Sequence, residues 1–163
     1  MESALASWSD FNVAMAGASA ALAGLIIVAM SVNIADVLKS PQLATRSGAT
    51  IAALVLAITA SMLGLIPDNP VWALGWEVLA ATAFVWVIEA FAIRAISGNR
   101  EQPRGARTAK IVLGVAAPVA YSVGSVLALA GNRAGLVVIG VGSIVAVASA
   151  VIIAWVVLVE VLR

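Results

Sequence analysis

Two glutamates, Glu77 and Glu89, have the most unusual positions in this sequence, because both lie within the long apolar segment 71–96. A charged carboxylate inside hydrocarbon costs at least a few kcal/mol, so such residues usually face a protein interior and mark a function or an ion pair. If the segment is helical, the two carboxylates are separated by about 18 Å of rise and a rotation of about 120°. They therefore cannot share a proton or a metal ion, which excludes the paired-acid chemistry of glycosidases and aspartic proteases within one chain.

The two glutamates have different expected partners. Glu89 lies toward the end of its segment where Arg46 and Lys110 begin neighbouring apolar segments. A structural ion pair or a neutral, hydrogen-bonded acid is therefore favoured there over a transport role. Glu77 lies toward the opposite end, where the sequence offers a single cation and the amide of Asn12. With fewer partners, Glu77 is the better candidate for a protonatable functional group.

A polar seam runs along the first apolar segment, where Asn12, Ser19 and Asn33 recur at multiples of seven residues and so lie nearly in line on a helix. Small residues at four-residue spacing, such as Gly17 and Ala21, crowd the remaining surface and allow helix backbones to approach closely. The last apolar segment has the same pattern, beginning at Gly142. We expect close packing within or between protomers and predict a homo-oligomer. A pore lined by the seam is the alternative.

Tyr121 and Ser122 are the remaining polar candidates inside an apolar segment, and they follow Pro118. A proline inside a helix leaves the carbonyl four residues earlier, that of Gly114, without its donor. Tyr121 and Ser122 are near enough in sequence to satisfy that carbonyl or to line a polar pocket.

The composition excludes several further kinds of catalytic and metal-binding site. The chain has 163 residues, of which 63% are hydrophobic and 10% charged, and it contains neither cysteine nor histidine. This inventory excludes disulfides, zinc sites with Cys or His ligands, histidine-ligated haem and His-based catalytic triads. We therefore predict a protein that is not an enzyme and has no cofactor, no metal site and no catalytic residue. The net charge of +1 gives no field that would recruit nucleic acid.

The apolar segments predict an all-α membrane protein with one domain, 1–163, and five transmembrane helices. A spanning helix needs about 20 apolar residues. As one helix, the stretch 111–159 would be about 74 Å long, more than twice the hydrocarbon thickness, so the chain must reverse at Gly131–Arg133. Ser40 and Pro41 suggest that the second helix starts earlier than its apolar part, with serine as cap. The predicted spans are approximately 11–34, 47–66, 71–96, 111–130 and 134–159.

The distribution of basic residues predicts the orientation. Of the nine Lys and Arg residues, Arg133 alone lies on the side of the amino terminus, and the others lie on the opposite side. Because basic loops stay in the cytoplasm, the amino terminus is expected outside and the carboxyl terminus inside. The basic linker 97–110 is expected to contact lipid headgroups or an acidic partner. Its basic residues are Arg100, Arg104, Arg107 and Lys110.

About half of the chain resembles a group of small integral membrane proteins that are common in actinobacteria. The resemblance rests on Trp8–Phe11, Ala16–Ala18, Ala20–Leu25, Ser31–Ile34 and Gly75–Glu77. Members of this group are sometimes labelled modulators of a membrane-bound AAA+ protease. The resemblance implies a multi-pass protein of the bacterial cytoplasmic (inner) membrane, and it supplies no catalytic residue.

Two functions follow from these observations. In the first, the protein is a non-enzymatic partner or modulator of a membrane complex, which uses helix faces and the basic linker to contact another membrane protein. In the second, it is an oligomeric channel or transporter for protons, ions or small solutes, which uses Glu77 and the seam of Asn12, Ser19 and Asn33. The absence of a filter motif, an internal repeat or a second nearby acid favours the first.

Overall fold

A computed structural model describes residues 5–39, 41–98 and 104–161, and these residues form a helical bundle. A short 3-10 turn at Ala6–Trp8 leads into the first helix. The helices are α1 (Ser9–Val32), α2 (Ile34–Lys39), α3 (Pro41–Leu63), α4 (Val71–Gly98), α5 (Arg104–Leu129) and α6 (Ala134–Val161). All of them except the short α2 are long and apolar enough to cross a membrane, which confirms the predicted number of five such helices.

Both predicted reversals of the chain are confirmed. The segment Pro67–Pro70 separates α3 from α4, and α4 begins immediately after it at Val71. Between α5 and α6, Gly131 adopts a φ of +73°, in the left-handed region where glycine lacks the steric penalty of other residues. The helix α3 starts at Pro41, as the sequence predicts, since proline is well suited to the first position of a helix. The expected cap, Ser40, lies outside the described residues.

The helices differ from the predicted spans at two boundaries, each for a physical reason. The first helix ends at Val32 instead of continuing to 34. At the next residue, the side-chain amide of Asn33 donates to the carbonyl of Ala29 and so competes with the backbone N–H of Asn33 for that acceptor. The linker predicted over 97–110 is mostly helical, since α4 extends to Gly98 and α5 begins at Arg104. Hydropathy detects only the apolar part of a helix, and helices continue into the polar layer on either side of it.

The central pair of the bundle is α3 and α6, which contact each other and are the most buried of the five long helices. Around them, α1 packs on α3 and α6, α4 packs on α3 and α5, and α5 packs on α4 and α6. We call the end with the turns at Pro67–Pro70 and Gly131–Arg133 the turn end. The opposite end, where α2, the start of α3 and the start of α5 lie, is the linker end.

Small residues on α5 and α6 are used inside the bundle. A side chain at Gly124 or Gly135 would overlap the backbone of the other helix, so these two helices approach closely at the turn end. Further along α6, the ring of Tyr121 packs against Gly142, and Ala146 and Ala150 are fully buried. The small-residue face of the last helix is therefore occupied within one protomer.

Candidate functional site

The linker half of the bundle contains a buried charged cluster centred on Glu89. Glu89 in α4 is 4% exposed, and Arg46 in α3 is 7% exposed and interacts with it electrostatically. Lys110, in the second turn of α5, lines the same cavity. The structure thus places the predicted partner Arg46 in electrostatic contact with Glu89, and Lys110 in the same cavity. A buried carboxylate needs such neighbours because removing an unpaired charge from water costs several kcal/mol.

Gly114 makes room for the Glu89 carboxyl. A side chain on Gly114 would collide with one carboxyl oxygen of Glu89, because the carboxyl group occupies the space beside the α5 backbone. Four residues later, Pro118 has no N–H to donate to the Gly114 carbonyl. The carboxyl of Glu89 therefore lies where the hydrogen-bond pattern of α5 is interrupted.

A small cavity joins the charged cluster to two hydroxyl groups. Its volume is about 20 Å³, and its polar lining comes from Arg46, Thr50, Glu89, Lys110 and Ser149. A polar cavity needs about 10–15 Å³ to hold one water molecule, so this one has room for a single water among several hydrogen-bonding groups.

A second cavity of about 20 Å³ lies in the turn half of the bundle, and its polar lining is Asn12, Ser61 and Ser143. The hydroxyl of Ser61 is buried and has no hydrogen-bond partner among the described residues. Buried hydroxyls are normally satisfied by protein or by ordered water. This cavity therefore also has room for one water molecule beside the Ser61 side chain.

Tyr121 and Ser143 form a hydrogen bond between the two cavities. Their hydroxyl oxygens are 2.8 Å apart, and both side chains are almost completely buried. Ser143 also lines the cavity of the turn half, while Ala117 and Ala146, one helical turn from the pair, line the cavity of the linker half. Tyr121 is therefore hydrogen-bonded to α6 and lines neither of the two cavities.

Ser122 has a separate role. Its hydroxyl donates to the carbonyl of Pro118 at 2.8 Å and accepts a hydrogen bond from the indole N–H of Trp86 at 3.1 Å. The bond to Trp86 joins α5 to α4. Neither of these bonds involves the Gly114 carbonyl.

Glu77 is far from this cluster and has a partner that sequence reasoning missed. The side-chain amide of Asn69 donates to a carboxylate oxygen of Glu77 at 3.0 Å and also reaches the carbonyl of Leu63 at 3.4 Å. Glu77 therefore helps to hold the turn between α3 and α4. The expected partners Asn12 and Arg133 are not the ones that the structure pairs with it.

The predicted seam on α1 is divided among three environments. Asn12 contacts Gly64 and lines the cavity of the turn half. Ser19 is completely buried, and its hydroxyl has no hydrogen-bond partner in the described part of the chain. Asn33 binds its own helix at the carbonyl of Ala29. Because α1 packs on α3 and α6, the seam is not joined to Glu77 in α4.

The basic linker residues lie mostly on a helix. Arg104, Arg107 and Lys110 fall in the first two turns of α5, and Arg100 lies outside the described residues. Within residues 5–39, 41–98 and 104–161, no group of three or more His, Cys, Asp or Glu side chains converges in a way that could hold a metal ion.

Sequence reasoning did not single out Ser61, Ser143 or Ser149. The available signal was their polarity within apolar segments, since each is a hydroxyl residue surrounded by aliphatic ones. Serine is common at helix contacts in membranes, so polarity alone does not distinguish a cavity lining from ordinary packing.

No known family model, curated protein or solved structure matches this chain.

Proposed function

We propose that this chain is a non-enzymatic, multi-pass protein of the bacterial cytoplasmic membrane that acts as a partner or modulator of a membrane complex through the outward face of α1. The single observation that carries this proposal is the open space over the glycines of α1. Apart from the adjacent backbone of α1 itself, no atom of the protomer lies within 4 Å of the position that a Cβ would occupy on Gly17 or Gly24.

The same residue type is used differently on other helices. On α5 and α6, the space beside Gly124 and Gly135 is occupied by the backbone of the neighbouring helix. Glycines at such spacing permit close contact between membrane helices, and the resulting dispersion contacts drive association in lipid. The pattern on α1 offers the same kind of contact to a helix from outside the protomer.

The composition of this face fits a transmembrane helix as its occupant. Gly17, Ala21, Gly24 and Val28 lie within about 60° of one another on α1, and all four are exposed. They form a shallow apolar groove without a charged group. We define these four residues as the α1 face, and we infer that a helix of another membrane protein packs on it.

The proposed orientation places the amino terminus outside and the carboxyl terminus in the cytoplasm. The support is the concentration of Lys and Arg at the linker end, against Arg133 alone at the turn end. In this orientation, Arg107 lies at the cytoplasmic surface, where it contacts lipid headgroups or an acidic segment of the partner.

Site-specific photo-crosslinking in the producing cell tests the docking surface. A photoreactive amino acid at Val28, on the α1 face, is expected to give one discrete protein adduct identifiable by mass spectrometry. The matched position is Val123, an equally apolar and exposed residue of α5, which is expected to give lipid adducts only. The same set of crosslinked products at Val28 and Val123 would contradict the proposal.

Glycine substitutions make the test specific. Gly17→Leu or Gly24→Leu fills the open space without a clash inside the protomer, and either is expected to abolish the Val28 adduct. Gly48→Leu is the control, because Gly48 in α3 also has open space around it and lies on a different face. An adduct to a second copy of this chain would support the predicted homo-oligomer and contradict a different protein as the occupant.

The alternative function, an oligomeric channel that uses Glu77 and the seam of Asn12, Ser19 and Asn33, stays a hypothesis that the geometry favours less. Glu77 is bonded to Asn69, and Asn33 is bonded to Ala29. Groups that already hold a turn or end a helix are poorly placed to line a common pore.

A further inference from the structure

We propose that the interior of one protomer contains a proton path, in which two single-water cavities flank the hydrogen-bonded pair Tyr121–Ser143 and Glu89 takes up and releases the proton toward the linker end. This path does not involve the α1 face. It is therefore independent of the docking function proposed above.

The path begins in the cavity of the turn half. Asn12, Ser61 and Ser143 line this cavity of about 20 Å³. The Ser61 hydroxyl is 2% exposed and has no partner among the described residues, so it calls for a water molecule in the cavity. That water can donate to or accept from the hydroxyls on either side of it, which is what proton transfer along a hydrogen-bonded chain requires.

The middle of the path is the hydroxyl pair. Ser143 belongs to the cavity of the turn half and is hydrogen-bonded to the Tyr121 hydroxyl at 2.8 Å. A hydroxyl both donates and accepts, so each member of the pair can pass a proton by reversing its orientation. The side chains between this pair and the second cavity are Ala117 and Ala146, which lie about 6 Å and about 4.5 Å along their helices from Tyr121 and Ser143, respectively.

The path ends at Glu89 in the cavity of the linker half. Arg46 from α3 interacts electrostatically with this carboxyl, and Lys110 from α5 is the other charged residue that lines the cavity. The cavity lining from α6 carries the hydroxyl of Ser149 and no charged group. Glu89 is the acid in this lining, and it lies between the hydroxyl pair and the linker end.

The size of the cavities favours the proton over other ions. Each cavity holds about one water molecule, so a hydrated cation does not fit. An anion would have to separate Tyr121 from Ser143 and pass Glu89. A proton instead moves by rearranging hydrogen bonds, and in the proposed path a water molecule bridges the one helical turn at Ala117 and Ala146.

Proton flux into liposomes tests the proposal with the full-length protein. Vesicles contain a pH-sensitive dye, and a potassium diffusion potential set with valinomycin drives proton entry. We expect wild-type vesicles to acidify faster than empty vesicles, with a slower rate in D₂O. We expect Glu89→Gln and Tyr121→Phe to reduce the flux to the rate of empty vesicles.

The fold of each variant is verified before its flux is interpreted, so that a loss of flux reports on the path and not on misfolding. Tyr121→Phe removes one oxygen and retains the packed ring, and circular dichroism with size-exclusion chromatography verifies the fold of both variants. Glu77→Gln is the matched control on the same helix and is expected to conduct like wild type. Gly17→Leu is also expected to conduct like wild type, because it alters only the α1 face.

Three results would overturn the proposal. Wild-type vesicles that acidify no faster than empty ones would show that the path does not conduct. Folded Tyr121→Phe with wild-type flux would remove the hydroxyl pair from the path. Flux that requires Glu77 instead of Glu89 would place the conducting group at the turn end.

Discussion

The two ends of α4 each place a glutamate in an apolar helix, yet the two carboxylates are held in opposite ways. At the turn end, half-buried Glu77 accepts a hydrogen bond from Asn69, a neutral residue in the turn that precedes the helix. At the linker end, buried Glu89 interacts with Arg46 of α3 and shares a cavity with Lys110 of α5. Glu77 therefore stabilises a local connection, whereas Glu89 depends on the assembly of the whole bundle.

This difference shows why an acid in a membrane helix is not by itself a functional site. A carboxylate near a turn can be satisfied by nearby backbone and side-chain donors at little cost. A carboxylate buried among three helices needs charged partners and space, and here α5 provides that space at Gly114. The second arrangement constrains several helices at once, so it is the one that a function is expected to use.

The largest expected contrast between the two ends is their accessibility from outside the cell. Because the chain has no cysteine, single cysteines introduced by Pro67→Cys at the turn end and Arg104→Cys at the linker end can be labelled without background. With an impermeant maleimide on intact cells, position 67 is expected to react. Position 104 is expected to react only after permeabilisation. The reverse pattern would contradict the proposed orientation and leave the helical fold unchanged.

Removing each carboxylate distinguishes the two environments by stability. Glu89→Leu leaves Arg46 buried beside an apolar side chain, and we expect it to lower the free energy of unfolding by about 3 kcal/mol. The measurement is a denaturant titration in mixed micelles followed by circular dichroism. The double variant Arg46→Leu with Glu89→Leu is expected to recover much of this loss, because both charges are then removed from the interior. Equal losses in the single and double variants would show that the two charges are not coupled.

Much of the fold was predictable because it depends on features that hydropathy and turn residues record directly. Five apolar segments, the turn Pro67–Pro70 and the reversal at Gly131–Arg133 fixed the order of the helices. The partners of Glu89 were predictable for the same reason, since Arg46 and Lys110 begin their segments at the same depth in the bundle.

The rotation of each helix could not be predicted in the same way. These helices are apolar on nearly all sides, so the sequence pattern does not indicate which face is buried. The pairing of Tyr121 with Ser143 and the burial of Ser61 depend on that rotation. The small residues of α6 and α1 have similar patterns, yet Gly142 packs on Tyr121 while Gly17 has open space around it. Only the packing of the neighbouring helices distinguishes them.

The smallest expected effect concerns the turn end and tests whether Glu77 has the local role assigned to it. Asn69→Ala removes the donor to Glu77, and Glu77→Leu removes the acceptor. Each change is expected to lower the free energy of unfolding by about 1 kcal/mol, the usual net value of one hydrogen bond. Glu77→Gln is the matched control and is expected to remain near wild type, because its amide oxygen can still accept from Asn69.

Combining Asn69→Ala with Glu77→Leu shows whether the two residues act as one unit. If their bond is the main role of both, the double variant is expected to lose little more than either single variant, since the second change removes a group whose partner is already gone. Additive losses would mean that Glu77 has another partner, and the turn end would then resemble the linker end more closely than the geometry indicates. A local hydrogen bond that couples only residues 69 and 77 leaves the interior path to Glu89 unaffected, so neither variant is expected to change proton flux.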